Sequence, residues 1–182
     1  MSTPSTLHSP EAEETPLSTF SRCHVGIVSQ LEAAAALPRL LEFAQRARDT
    51  AQRTLELFRH AVLKHHQEEE QELFTAVLQS ASPEERAQVQ ALVDQLTAEH
   101  RAIEGAWKRL EPAVRQAARG TPADLDAGLL VDLVQLYLQH ARVEETAFLP
   151  LAERILGRDG NHMAALGLSL HMRQAPQVVG YI

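Results

Sequence analysis

Two stretches of the chain, 75 residues apart, repeat one helical rhythm and place ionisable residues where a helix normally keeps apolar ones. The first reads Leu55, Phe58, Val62, His65, Glu69, Leu73, Ala76; the second reads Leu130, Leu133, Tyr137, His140, Glu144, Phe148, Leu151. Steps of three and four residues put each set on one face of an α-helix. A second pair of stretches repeats with an offset of 76: Phe20, His24, Ile27, Val28, Leu31, Ala34, and Leu96, His100, Ile103, Glu104, Trp107, Leu110. The chain therefore reads as a duplicated helix pair. Each half supplies one lone inward histidine and one His-x-x-x-Glu.

This pattern needs a physical reason. An uncompensated carboxylate buried in a helix-bundle core costs several kcal/mol even after relaxation, and Glu69 and Glu144 facing one core would also repel each other. Four inward imidazoles add unsatisfied ring nitrogens. One or two cations at the centre resolve all of this, because neutral imidazoles become ligands and carboxylates can be shared between metals. Residues four apart share a helix face and can reach the same ion or adjacent ions, and helix bundles host carboxylate-bridged metal pairs. Four imidazoles with two carboxylates suit iron, with manganese as the alternative. Structural zinc usually takes four ligands, often thiolates, and calcium and magnesium prefer oxygen.

Punctuation by proline and glycine predicts the elements. A first helix is expected over 18–36, ending near Pro38. A helical segment follows over 39–80, with a long second helix from about Thr50. In Ala81-Ser82-Pro83-Glu84-Glu85, Ser82 is an N-cap, Pro83 fits the first helical position and Glu85 completes a capping box. The third helix is expected from Pro83 to Arg119 with a kink at Pro112, capped by Gly120. Thr121-Pro122 is read as opening a fourth helix that runs to Leu156 with strain near Pro150, and a short helix is expected over 163–172. No strand pattern competes. The fold class is all-α: an antiparallel up-down-up-down four-helix bundle over 18–156, with a flexible acidic tail at 1–17 and a short C-terminal extension at 157–182.

Composition narrows the function. Of 182 residues, 45% are apolar but only 4% aromatic, which suits a helical bundle, and the net charge of -7 argues against a nucleic-acid surface. The single cysteine, Cys23, excludes an internal disulfide and a CxxC zinc site. No apolar run is long enough to span a membrane, and the N-terminal stretch has no basic segment followed by an apolar one. The expected setting is the cytoplasm, with no nucleic-acid or membrane partner. The leucine- and alanine-rich stripes serve homo-oligomer contacts as readily as a core.

The combination of His24, then His65-His66-Gln67-Glu68-Glu69-Glu70 with Leu73-Phe74, then His100, then His140-Ala141-Arg142-Val143-Glu144-Glu145 with Phe148-Leu149-Pro150 resembles the hemerythrin-like (HHE cation-binding) family. The resemblance covers about residues 18–156. It implies a four-helix bundle around a non-haem pair of irons, bridged by an oxo or hydroxo group, that meets dioxygen, peroxide or nitric oxide. It also implies His24, His65, Glu69, His100, His140 and Glu144 as ligands, the six that the helical stripes pick independently. Oxygen-carrying members place a second histidine one turn after the third-helix histidine. Here Glu104 stands at that position, opposite Val28 in the repeat, and it is read either as a seventh ligand or as a group behind the ligands. A glutamate there shifts the expectation away from simple oxygen carriage, toward peroxide, redox or sensing roles in oxidative or nitrosative stress or iron handling. Peroxidase-like or catalase-like turnover is one version of this; an iron- or oxygen-sensing module without turnover is the other.

The neighbouring residues are read more plainly. Glu70 and Glu145 are expected to orient ligands or to be solvated flanks. His60 and His66 are expected on the surface, with His8, His162 and His171. Cys23 is read as a small semi-buried residue, with a redox thiol as the alternative. Tyr137 and Trp107 are read as core, with Tyr137 as the alternative hydrogen-bond donor to a ligand of the metal.

Overall fold

In a computed structural model of the chain, residues 16–158 are described, with side chains from Arg22 onward. Every regular element among them is helical. In chain order they are α1 (Pro16–Ala34), α2 (Leu37–Leu57), α3 (Leu63–Glu68), α4 (Phe74–Ser80), α5 (Pro83–Ala118), α6 (Ala127–Val143) and α7 (Leu149–Leu156). Wider π-helical turns over Phe58–Val62, Glu69–Leu73 and Glu144–Phe148 join α2 to α3, α3 to α4 and α6 to α7. None of the described helices is long and apolar enough to cross a membrane. The expected helix over 163–172 lies outside the described residues.

Local chemistry explains most of the boundaries. Ser82 Oγ accepts from the Glu85 amide at 3.4 Å, and a Glu85 carboxylate oxygen accepts from the Ser82 amide at 3.1 Å. This is the reciprocal capping box that the sequence predicts. At the other end of α5, Gly120 adopts φ +70°. Its amide donates to the Ala117 carbonyl, and the Thr121 amide donates to that of Gln116. Those two bonds close the helix as a Schellman motif, which needs the left-handed conformation glycine tolerates. Pro112 is carried inside α5.

Three boundaries differ from the sequence expectation. Pro38 begins a helix instead of ending one: it is the second residue of α2, in the first turn, where no amide donor is needed. The second helical course accordingly starts at Leu37 and continues through its wide turns to Ser80. The fourth helix starts at Ala127, five residues after Pro122, because Asp126 caps it by accepting from the Leu129 amide at 2.9 Å.

The chain divides into two compact units between Gln45 and Arg46. In the first unit, the α1 apolar row of Ile27, Val28 and Leu31 is exposed, as are His24 and Cys23. In the second unit, α5 packs on α6 and on α4, and α4 packs on α7. Two apolar clusters form there. One joins Leu73, Phe74, Val77, Val89, Val93, Leu96, Phe148, Leu151 and Ile155. The other joins Phe58, Val62, Ile103, Ala106, Trp107, Leu110 and Leu133. The repeat mates Phe58 and Leu133 share one cluster, and Leu73 and Phe148 share the other. Along each of the three helical courses, histidines and glutamates lie between the residues of one cluster and those of the other: His65, His66, Glu69 and Glu70; Glu99 and His100; His140 and Glu144.

Candidate metal centre

Three histidines, one from each helical course, are fully buried between the apolar clusters: His66, His100 and His140. The His66 and His100 rings stack with centroids 3.9 Å apart, and His140 meets His100 edge-on at 4.7 Å. One carboxylate backs each ring. Nδ1 of His66 lies 3.2 Å from Glu104, Nδ1 of His100 lies 2.8 Å from Glu70, and Nδ1 of His140 lies 3.3 Å from Glu99. An ionised carboxylate only accepts, so Nδ1 carries the proton in each pair. In a neutral ring that leaves the lone pair on Nε2. All three Nε2 atoms are buried without a hydrogen-bond partner, as is Oε2 of Glu69. Nε2 of His100 and Oε2 of Glu69 stand 3.3 Å apart, yet neither finds hydrogen-bond geometry.

Two groups of converging donor atoms result. His66, His100 and His140 each offer a nitrogen, all within 4.8 Å of one another; His65, Glu69 and Glu144 do the same with one nitrogen and two oxygens. Glu69 links them, its other oxygen lying 3.3 Å from Nε2 of half-buried His65. Buried unpaired polar atoms are rare and costly. Four of them facing one centre fit a cation, because each is an electron-pair donor. Imidazole nitrogen with carboxylate oxygen is a donor set for iron, manganese or zinc.

The electrostatics of these side chains point the same way. Burial, reinforced by the Glu69 carboxylate, pushes Glu144 up to about 8. Burial and the neighbouring His100 push His66 down to about 4, against the pull of Glu104. Burial and His100 also lower His140. For His100, burial opposes the cation, but Glu69 and Glu70 outweigh it and hold the imidazole above its ordinary value. Tyr137, half-buried with its ring 5.9 Å from His140, is raised by burial and by Glu69 and Glu144.

The expected residues are thus distributed unevenly. His65, Glu69, His100, His140 and Glu144 fall in the two groups. His66, expected on the surface, is 1% exposed and belongs to the all-imidazole group. A uniform α-helical wheel turns His66 about 100° away from His65. The wide turns at 58–62 and 69–73 take more residues per revolution and rotate α3, with both histidines, relative to the register of an unbroken α-helix. The doublet His65-His66, with Glu69-Glu70 four residues on, carried the signal: two overlapping His-x-x-x-Glu pairs. Glu104 is placed behind His66, outside both groups, bonded to its outer nitrogen and to Arg101. His24 lies in the first unit and is exposed. His60 is exposed, as expected, and Glu145 is a solvated flank.

Comparison with known proteins agrees with this chemistry. A protein of Haemophilus influenzae described as an uncharacterized protein is 26% identical over 157 residues, covering 82% of this chain and 88% of that one. No solved structure matches the chain. The family profile described as Hemerythrin HHE cation binding domain matches residues 15–152, most of the chain, including both histidine–glutamate helices. The chain belongs to the hemerythrin HHE cation-binding family.

Proposed function

We propose that this is a non-haem di-iron protein that binds or reacts with dioxygen, peroxide or nitric oxide, in oxidative or nitrosative stress or in iron handling. The observation that carries the reading is the set of four buried, unpartnered donor atoms: Nε2 of His66, His100 and His140, and Oε2 of Glu69. His66, His100 and His140 would hold one ion; His65, Glu69 and Glu144 would hold the other, with Glu69 placed between them to be shared. Iron bound there supplies redox and Lewis-acid chemistry, and manganese is the alternative metal.

The chain's own contribution is positional. Apolar clusters on both sides keep the donors from bulk water. Tyr137 keeps its proton in neutral solution, since its acidity is weakened by burial, and can donate a hydrogen bond to a small molecule in the centre. Within the same proposal, His24 is a further imidazole ligand and α1 completes an antiparallel four-helix bundle. The support is the α1 stripe, which has the same spacing as its repeat mate on α5 and exposes Ile27, Val28 and Leu31. A homo-oligomer formed through such exposed rows is the competing use of them, separable by the size of the protein in solution.

A sensing role draws support from one observation. Burial and the Glu69 carboxylate hold the Glu144 carboxyl toward its protonated form, so a cation that replaces that proton adds its binding energy to the stability of the fold. The test is metal content per chain after expression in iron-replete medium, with a visible spectrum before and after hydrogen peroxide. About two irons per chain and a peroxide-sensitive spectrum support the redox reading. A full but spectrally unresponsive centre favours the sensor, and an empty one refutes both.

A further inference from the structure

We propose that Arg101 is a positioning residue of the metal centre, holding two of its imidazoles in one tautomer and orientation from outside. The inference rests on the reading of His66 and His100 as ligands. Arg101 is more than half exposed. Its guanidinium spans two carboxylates: Nη2 donates to Oε2 of Glu70 at 2.5 Å and Nη1 to Oε2 of Glu104 at 2.7 Å. Each carboxylate then uses its remaining oxygen on a buried histidine, Glu70 on His100 and Glu104 on His66. Since those two rings stack, the five side chains close a loop: His100, Glu70, Arg101, Glu104, His66.

The loop has a mechanical consequence. Glu70 and Glu104 come from different helical courses and carry like charge, and only the planar fork of an arginine bonds both at fixed geometry. A cavity of about 230 Å³, lined by Leu63, Gln67, Glu70, Gln71, Arg101 and Glu104, lies against them. Without Arg101, both carboxylates have room to swing into it and release the imidazole Nδ1 atoms. An exposed ion pair contributes little to stability, so the loss is felt at the metal-facing Nε2 atoms. His140 is an internal control: its carboxylate, Glu99, is held by Gln95 at 2.9 Å and does not depend on Arg101.

The experiment compares the full chain with Arg101→Gln and Arg101→Lys, each stripped of metal and titrated with cobalt(II). Ligand-orienting groups of this kind typically change metal affinity ten- to a hundredfold. Arg101→Gln should weaken cobalt binding by that factor and shift its visible bands, with the metal-free melting temperature unchanged; Arg101→Lys should recover part of the affinity. In mildly alkaline metal-free protein, imidazole nitrogen NMR should show His66 and His100 mixing tautomers in Arg101→Gln while His140 keeps one. Unchanged affinity, bands and tautomers overturn the proposal, as does a variant in which melting and all three imidazoles change together. If the wild-type chain takes no cobalt, the metal reading fails, and the tautomer measurement still decides what Arg101 does.

Discussion

Replacing Glu144 with glutamine should move the metal-free and metal-loaded protein in opposite directions. In the metal-free fold, burial and the Glu69 carboxylate lift the Glu144 carboxyl from its ordinary 4.5 to about 8. Between those two values the native state holds a proton that the unfolded chain has released, so stability falls as pH rises through that window and the penalty is complete above about 8. In neutral solution, about two and a half pH units above the ordinary value, taking up that proton costs about 3.5 kcal/mol, at about 1.4 kcal/mol per unit. Glutamine occupies the same space, is neutral at every pH and can donate to Glu69, so it removes that cost. The metal-free variant should be about 3.5 kcal/mol more stable in denaturant unfolding and melt roughly 10 °C higher, at about 3 °C per kcal/mol for a chain of this size. The gain should vanish below about pH 4.5. The opposing slope from His66, held near 4 by burial, is common to both proteins and cancels in the difference. The iron-loaded variant should instead carry less metal and lose the stabilisation that metal confers on the wild type. Paired melts with and without a chelator, over a pH series, read both effects. A metal-free variant no more stable than the wild type would refute the buried carboxylate pair; unchanged metal content would refute Glu144 as a ligand.

Other outcomes follow from the same geometry. His66→Ala should lower metal content per chain, whereas exposed His60→Ala should leave it unchanged; equal metal content in the two variants would remove His66 from the proposed ligands. Phe74→Ala removes a ring that is 2% exposed and packs edge-on against Phe148 at 4.9 Å. It should cost about 3–5 kcal/mol in denaturant unfolding. Glu85 is held near 2 by its hydrogen bond to Arg158, with the Ser82 amide adding to it. Its contribution is present above the ordinary carboxylate value of 4.5 and is lost as pH falls toward 2, so Arg158→Ala should flatten the acid limb of the wild-type stability curve. Gly120→Ala should destabilise by about 1 kcal/mol or more, since φ +70° is strained for any side chain, and thermal melts would show it.

Much of the candidate site was legible before any coordinates, because buried charge is rare enough to stand out against helical periodicity. His65, Glu69, His100, His140 and Glu144 each occupy an apolar slot in a repeated stripe, and that alone pointed to a cation. The ends of α5 were equally legible, since Ser82, Pro83, Glu85 and Gly120 act through local backbone chemistry. Pro38 is ambiguous in the sequence because proline is compatible with the first turn of a helix as well as with its end. The start of α6 is equally ambiguous in the sequence, where Asp126 and Thr121-Pro122 compete, and Asp126 provides the cap.

What the sequence by itself determined is the helical class, the two-fold repeat and the choice of donor chemistry, all of which depend on residue type and spacing along one helix. Only the tertiary structure decided that His66 faces inward, since that depends on where α2–α4 widens into π turns. Only it decided that Glu70, Glu99 and Glu104 each back one imidazole and that Arg101 ties two of them together. Apart from Arg101–Glu104, an i,i+3 pair on α5, those are contacts between residues about 30 to 40 positions apart, and their geometry is set by packing across helices, which periodicity along one helix does not encode.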